Sequence, residues 1–384
     1  MRAFISILLS VLVIMTLATP QHIGNMGLNR QAVITTQVET PTGRYLPGFV
    51  YDLVNERVMM FGGATADTPL GDSWGFDLST GHWTELDFET SPMPRHSTAM
   101  VYDSIDEVIV LFGGYDGSER LADTWIFNCT TEMWIEVTPT ISPPPRMNPA
   151  MVYDSVNDKV ILFSGYHNSG PDIADTWVYD IQENEWMEMD PLVVPHARYG
   201  ASFVFDDVTE RMLIFGGNSD GFLDDTWGYS FANDTWTDLG PSTHPPELKW
   251  SSSVYDSTNH KMILFGGDEG SHNVNRTWIY DPVTNEWEER EPEIAPPPRE
   301  GFAFTFDTTN EKAILFSGTS EYPDLRDDVW SYEFSTNTWE EIAQIADTST
   351  EAPDILVVLL IVAPIIGITA IASYILLKRS ASKK

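Results

Sequence analysis

One pattern recurs six times along this 384-residue chain and leaves little room for any other organisation. Its clearest copy, residues 95–145, reads RHSTAMVYDSIDEVIVLFGGYDGSERLADTWIFNCTTEMWIEVTPTISPPP. The copies open at Arg44, Arg95, Arg146, Arg198, Leu248 and Arg299, at steps of 51, 51, 52, 50 and 51 residues. A unit repeated at so fixed a period cannot bury its apolar faces alone; it buries them against its neighbours in an array.

Within each copy an apolar run ends in Phe: Phe61, Phe112, Phe163, Phe215, Phe265 and Phe316. A Gly-Gly pair follows, reduced to Ser164-Gly165 and Ser317-Gly318 in two copies. Next comes a first tryptophan (Trp74, Trp125, Trp177, Trp227, Trp278, Trp330) with an aromatic residue two positions on. Nine residues after each stands a second: Trp83, Trp134, Trp186, Trp236, Trp287 and Trp339. The repeat thus absorbs twelve of the thirteen tryptophans, all but Trp250.

Each copy reads as four antiparallel strands. The second is an unbroken apolar run, as in VIVLF at Val108–Phe112, and so is buried on both faces. The fourth mixes Trp with Glu, as in Trp186, Met187, Glu188 and Met189, which suits a charged outer edge. The tryptophans read as inter-blade core with each indole N–H on a carbonyl. The glycines read as strand ends needing positive φ, strictly so only at the second of each pair. The opening arginines are expected to pair with acidic or carbonyl groups of an adjacent blade. Leu248, beside Lys249 and Trp250, breaks that pattern.

These marks resemble the Kelch-repeat family over residues 44–345. The resemblance implies an all-β, six-bladed Kelch-type β-propeller of four-stranded antiparallel blades. Ring closure stays open: residues 33–38, VITTQV, look like an extra fourth strand without its Trp, yet the sixth copy ends in a fourth strand of its own, WEEIAQ.

The ends read as targeting segments. Residues 1–20 have the layout of a signal peptide, cleaved or retained as an anchor, and residues 21–43 lead into the propeller. After a short stalk, 346–354, residues 355–377 carry no charge and are long enough for a transmembrane helix. A basic tail, 378–384, marks the cytoplasmic side, so the propeller is expected outside a cell membrane. A removable C-terminal sorting signal has the same layout. Asn128, Asn233 and Asn275 head N-glycosylation triplets. Lys and Arg total 21 against 57 Asp and Glu, which disfavours nucleic acid. Cys129 is the sole cysteine, so no internal disulfide forms, and it is expected to pack as a small apolar residue.

Antiparallel connections place the short turns on one face of a propeller and the longer, more varied loops and linkers on the other. Function on a rigid scaffold concentrates in such loops. The candidate ligand-binding residues are therefore Tyr115, Asp116, Arg120, Tyr166, His167, Asn168, Asn218, Asp220, Trp250, Asp268, His272 and Tyr322, with Glu269 and Glu321 beside them. The eight histidines show no metal-ligand spacing, no Gly-rich phosphate cradle with a Lys is present, and the position of Cys129 does not suit the Tyr–Cys copper chemistry of some Kelch-like oxidases. No cofactor is expected. Ca2+ in an Asp-rich stretch such as residues 218–225 is the weak exception. The reading is a non-catalytic, membrane-anchored extracellular module that binds a protein or cell-surface component through the long-loop face. The alternative is a carbohydrate-binding protein or carbohydrate-active enzyme on the same face. A third reading is a self-associating envelope or adhesion protein.

Overall fold

The computed structural model describes residues 40–66, 68–167 and 173–346. The signal-like residues 1–20, the VITTQV segment, Asn168, the stalk from 347 and the apolar span 355–377 lie outside the described residues. Among those described, no helix is long and apolar enough to cross a membrane.

Each copy folds into one four-stranded antiparallel sheet. In the second copy the strands are Ala99–Asp103, Val108–Tyr115, Arg120–Asn128 and Met133–Val137. The six first strands, Gly48–Asp52, Ala99–Asp103, Ala150–Asp154, Ser202–Asp206, Ser252–Asp256 and Ala303–Asp307, stand side by side, and the last touches the first. The ring therefore has six blades. The second strands are as buried as their composition requires: residues 160–163 and 262–265 have no exposed surface. Cys129 is likewise fully buried, among Phe127, Trp134 and Ile109.

The second tryptophans bridge blades through hydroxyls, and the first bind a carboxylate of their own blade, not the carbonyls expected. The indoles of Trp186, Trp236, Trp287 and Trp339 each donate at 3.0 Å to the Oγ1 of Thr124, Thr176, Thr226 and Thr277 in the preceding blade. At the seam, Val329 stands where that threonine would be. Trp83 turns instead to Gln344, donating to its Oε1 at 2.9 Å. The backbone then runs on as Ile345–Ala346, which pairs in parallel with the outer strand of the first blade, Ile345 opposite His82. The observed seam contribution thus comes from the C-terminal side of the propeller.

The opening arginines correct the sequence expectation: each clips its own blade. Arg44, Arg95, Arg146, Arg198 and Arg299 are buried and grip Asp72, Asp123, Asp175, Asp225 and Asp328 through both guanidinium nitrogens. Each Nη1 also donates to the carbonyl of Gly62, Gly113, Ser164, Gly216 or Ser317. The same aspartate accepts the first tryptophan's indole N–H, as Asp175 does from Trp177 at 2.7 Å. Burial alone would raise the Asp72, Asp225 and Asp328 carboxyls; the bidentate arginine outweighs it and holds them below the usual range. Only the arginine backbone reaches the adjacent blade, where Arg95, Arg198 and Arg299 carbonyls accept from Gly63, Gly165 and Gly267.

The two serines in the glycine pairs have a role of their own. Ser164 and Ser317 hold the left-handed φ of 54° and 66°, and their hydroxyls accept the N–H of Arg198 and Arg44. In other blades a loop carbonyl such as Leu70 takes that N–H.

Candidate functional site

The residue two places after each opening arginine (or Leu248) bends back in left-handed conformation: Leu46, Ser97, Asn148, Gly200, Trp250 and Gly301, with φ between 50° and 62°. Their backbones are linked head to tail around the long-loop mouth of the channel. Leu46 donates to Gly301, Ser97 to Leu46, Asn148 to Ser97, Trp250 to Gly200 and Gly301 to Trp250. Trp250 is the outlier. A large ring in a conformation that favours glycine is strained, and its indole lies over Gly200, where a Cβ would come within 2.4 Å of it.

The residue one place after the arginine points onto the rim just outside this ring, and here the aromatic side chains meet. Tyr45 packs against His96 at 5.2 Å between centroids and edge-on against Tyr322 at 5.9 Å. His96 meets Tyr115 at 5.5 Å. The guanidinium of Arg120 lies 4.4 Å from the centre of the Tyr166 ring and 6.0 Å from that of Tyr115. Tyr166 packs edge-on against Tyr199, and Tyr199 leans on Trp250. Lys249 caps Trp250 and Phe222 at 4.2 and 4.7 Å. The rim is thus a belt of aromatic rings punctuated by two cations, a combination common at binding hot spots.

Of the residues expected from sequence, Tyr115, Arg120, Tyr166, Trp250 and Tyr322 join this belt. Asn218 supports it, its Nδ2 donating to the Tyr199 hydroxyl. Asp268 sits 3.4 Å from the Lys249 ammonium. His167 pairs through its backbone with Arg146, and burial, with Arg146 nearby, pushes its imidazole pKa down. Asp116 is a turn former: Oδ1 accepts from the Ser118 and Glu119 N–H groups. Those bonds hold its carboxyl below the usual range. Glu269 lies 3.6 Å from Arg276. Asp220, His272 and Glu321 stand exposed in the loops, and Asn168 is outside the described residues. Asn233 and Asn275 are exposed and Asn128 half-buried, its Oδ1 accepting from Thr131. The stretch suggested for Ca2+, residues 218–225, does not gather its carboxylates: Asp225 is locked to Arg198, and Asp224 faces His244 at 3.7 Å.

Sequence reasoning missed Tyr45, His96, Tyr199, Phe222 and Lys249. A usable signal was present. Directly behind the near-invariant arginine, the next position reads Tyr45, His96, Met147, Tyr199, Lys249 and Glu300. A position that varies freely inside a strict repeat is released from the fold.

Glu300 occupies that position in the sixth blade. Burial, then the nearby Asp268 charge, push its carboxyl up to about 7, against the pull of Lys249. An acid whose folded pKa is raised holds a proton that the unfolded chain has lost. Stability therefore falls as pH rises from about 4.5 to about 7. Glu300→Gln should remove this slope. Urea midpoints measured at pH 5 and pH 8 should show the variant gaining on the parent at pH 8 only; an equal difference at both would refute it.

Along its axis the channel changes character. At the long-loop end small residues such as Ala99, Ala150, Ser202 and Ala303 enclose about 210 Å3. The short-turn half opens to about 410 Å3 inside a collar of Tyr51, Tyr102, Tyr153, Phe205, Tyr255 and Phe306. Burial holds the Tyr51 phenol up at about 12 and raises those of Tyr102, Tyr153 and Tyr255, so the collar is neutral.

The model of the KLHDC2/KLHL20/DRC7 Kelch-repeats domain matches residues 22–192 and 154–357. The chain belongs to the Kelch-repeat family. It is 28% identical over 199 residues to Adagio protein 3 of Arabidopsis thaliana, covering 47% of this chain and 31% of that one. It is 27% identical over 204 residues to an F-box/kelch-repeat protein of the same plant, covering 46% and 41%. It is 33% identical over 99 residues to Mei4-dependent protein 6 of Schizosaccharomyces pombe, covering 24% and 14%. The matches thus span less than half of these relatives' lengths. A Kelch propeller of this kind suggests a protein-interaction module.

Proposed function

We propose that the chain is a non-catalytic binding module, anchored in a membrane with its propeller outside the cell, that takes a protein partner on the long-loop face. The aromatic belt carries this reading. It sets Tyr166, Tyr199, Trp250 and Tyr322 around one rim, with Arg120 and Lys249 among them, on a chain otherwise dominated by carboxylates. Rigid aromatics with cations packed on their faces contribute contact area at small entropic cost. The anchor and the outward orientation rest on residues 1–20, 355–377 and the basic tail alone.

Trp250→Asn offers a gentle test, because Asn148 occupies the same left-handed position in the third blade. The full-length chain in detergent, parent or Trp250→Asn/Tyr166→Ser, is used as bait on cell-envelope extract. The captured protein is then purified and its affinity for both baits measured. At least tenfold weaker binding by the double variant is expected, about the 1.4 kcal/mol that a modest hot spot contributes. Equal affinity would place the partner elsewhere. Capture of glycan without protein would overturn the protein reading in favour of the carbohydrate one.

A further inference from the structure

The first strand of every blade ends in a buried aspartate whose carboxylate shapes the short turn that follows. In five blades both oxygens are occupied from within that turn or by a neighbouring side chain. Oδ2 accepts a side-chain donor three residues on: Asn55 at 2.7 Å, Asn157, Asn259 and Asn310 at 2.8 Å, and the Thr209 hydroxyl. The second blade breaks the rule. Asp103 Oδ1 still accepts from the Ile105 and Asp106 N–H groups. The donor position, however, holds a second carboxylate, Asp106, and Asp103 Oδ2 is buried without a hydrogen bond. Asp103 has no exposed surface.

A third carboxylate closes on the pair from the next blade. One oxygen each of Asp103, Asp106 and Asp158 lies within 4.8 Å of the others. The positive groups nearby are committed elsewhere. Lys159 pairs with Asp180 at 3.0 Å and donates to the Asp158 backbone carbonyl. The neutral donors are Tyr153, whose hydroxyl donates to Asp158 Oδ1 at 3.0 Å, and the Gln182 amide, which donates to both oxygens of Asp106. The Tyr153 hydroxyl also stands close to Asp103, but its hydrogen bond goes to Asp158, and Asp103 Oδ2 keeps no donor of its own. Burial holds the Asp103 carboxyl above its usual range against the pull of the Tyr153 hydroxyl and the turn N–H groups, with Asp158 adding to the rise among the smaller causes.

We propose that Asp103, Asp106 and Asp158 form a binding site for a hard divalent cation, Ca2+ in the first instance, that staples the second blade to the third on the short-turn face. Three carboxylate oxygens around Ca2+ at about 2.4 Å lie no more than about 5 Å apart, so the observed spacing fits. The outer side, where Asp106 and Asp158 are half-exposed, leaves room for the waters that complete a six- to eight-oxygen shell. A smaller Mg2+ would demand a closer, octahedral set.

The test uses the full-length chain in detergent at 0.15 M NaCl, with Tb3+ as the Ca2+ surrogate and tyrosine-sensitised luminescence as the readout. Tyr153, hydrogen-bonded to Asp158, is the built-in antenna. One saturable site is expected, displaced by Ca2+ far better than by Mg2+. Asp106→Asn restores the asparagine of the other blades, so it should fold and melt no lower than the parent in EGTA. It should nevertheless weaken Tb3+ binding at least tenfold, as should Asp158→Asn, which keeps an acceptor for Tyr153. Unchanged binding in both variants would assign the ions to the acidic surface at large and overturn the site. Displacement by Mg2+ alone would overturn the choice of Ca2+.

Discussion

Changing Asp175 to Ala should destabilise the chain by about 3–5 kcal/mol, the range for a buried ion pair that loses one partner. Asp175 accepts from Arg146 Nη1 and Nη2 at 2.8 and 2.6 Å and from the Trp177 indole at 2.7 Å. Arg146 has no exposed surface, so water cannot replace what is lost. The fifth blade shows how this arrangement is dispensed with. There Leu248 stands in place of the arginine and Arg276 in place of the aspartate. Leu248 packs, nearly fully buried, with Val274 and Trp278, while Arg276 turns outward to Glu269 and Glu289. Both charges have left the interior together. Accordingly, Arg146→Leu/Asp175→Ala should recover much of the stability lost in Asp175→Ala alone, because an apolar pair often replaces a buried ion pair at little net cost. Urea unfolding of the four corners of this double-mutant cycle measures the coupling. A single variant within about 1 kcal/mol of the parent, or a double variant worse than the sum, would refute this account of the clip.

The same blade shows what a sequence can and cannot disclose here. The fold was legible because one environment is used six times: the second strand is buried over the four residues that end in Phe, so its apolar run appears in every copy. The tryptophan spacing was legible for the same reason. The direction of the arginine was not. Twenty-eight residues separate Arg44 from Asp72, and nothing in that spacing says whether the loop returns to its own blade or reaches the next. Tyr115, Arg120, Tyr166 and Trp250, singled out from the long-loop face, stand in the belt, yet four of its ten members, Tyr45, His96, Tyr199 and Lys249, lie at the position after the arginine. That position is read only by aligning the copies and asking where they disagree. The Asp103 site was hidden by the opposite difficulty. In a chain with 57 acidic residues, one more aspartate draws no notice until the hydrogen bond it fails to make is seen.

Trp339→Ala should be as damaging as breaking the clip, at about 3–5 kcal/mol, and for a different reason. The ring is only 2% exposed and joins three walls: Phe265 of the fifth blade at 4.8 Å, and Phe304 and Tyr332 of its own. Its removal leaves a cavity between blades that the rigid second strands cannot close, and it strands the Thr277 hydroxyl that accepts its indole N–H. Trp134 provides the control. It is equally buried, among Phe61 and Phe127, but the first blade offers Ser73 where the second to fifth have Thr, and its indole nitrogen has no hydrogen bond. Ring volume and hydrogen bond can therefore be separated. Trp339→Phe should cost more than Trp134→Phe by about 1 kcal/mol, the net worth of one buried hydrogen bond. The two alanine variants should fall close together, since both lose the ring. Urea midpoints for the four variants decide the matter. If the two phenylalanine variants are equal, the tryptophans serve by volume alone and the threonine contacts contribute nothing. If Trp339→Phe is the weaker, adjacent blades are held in register by a directed bond, and the seam, where Trp83 depends on Gln344 from beyond the last blade strand, is where the ring should open first.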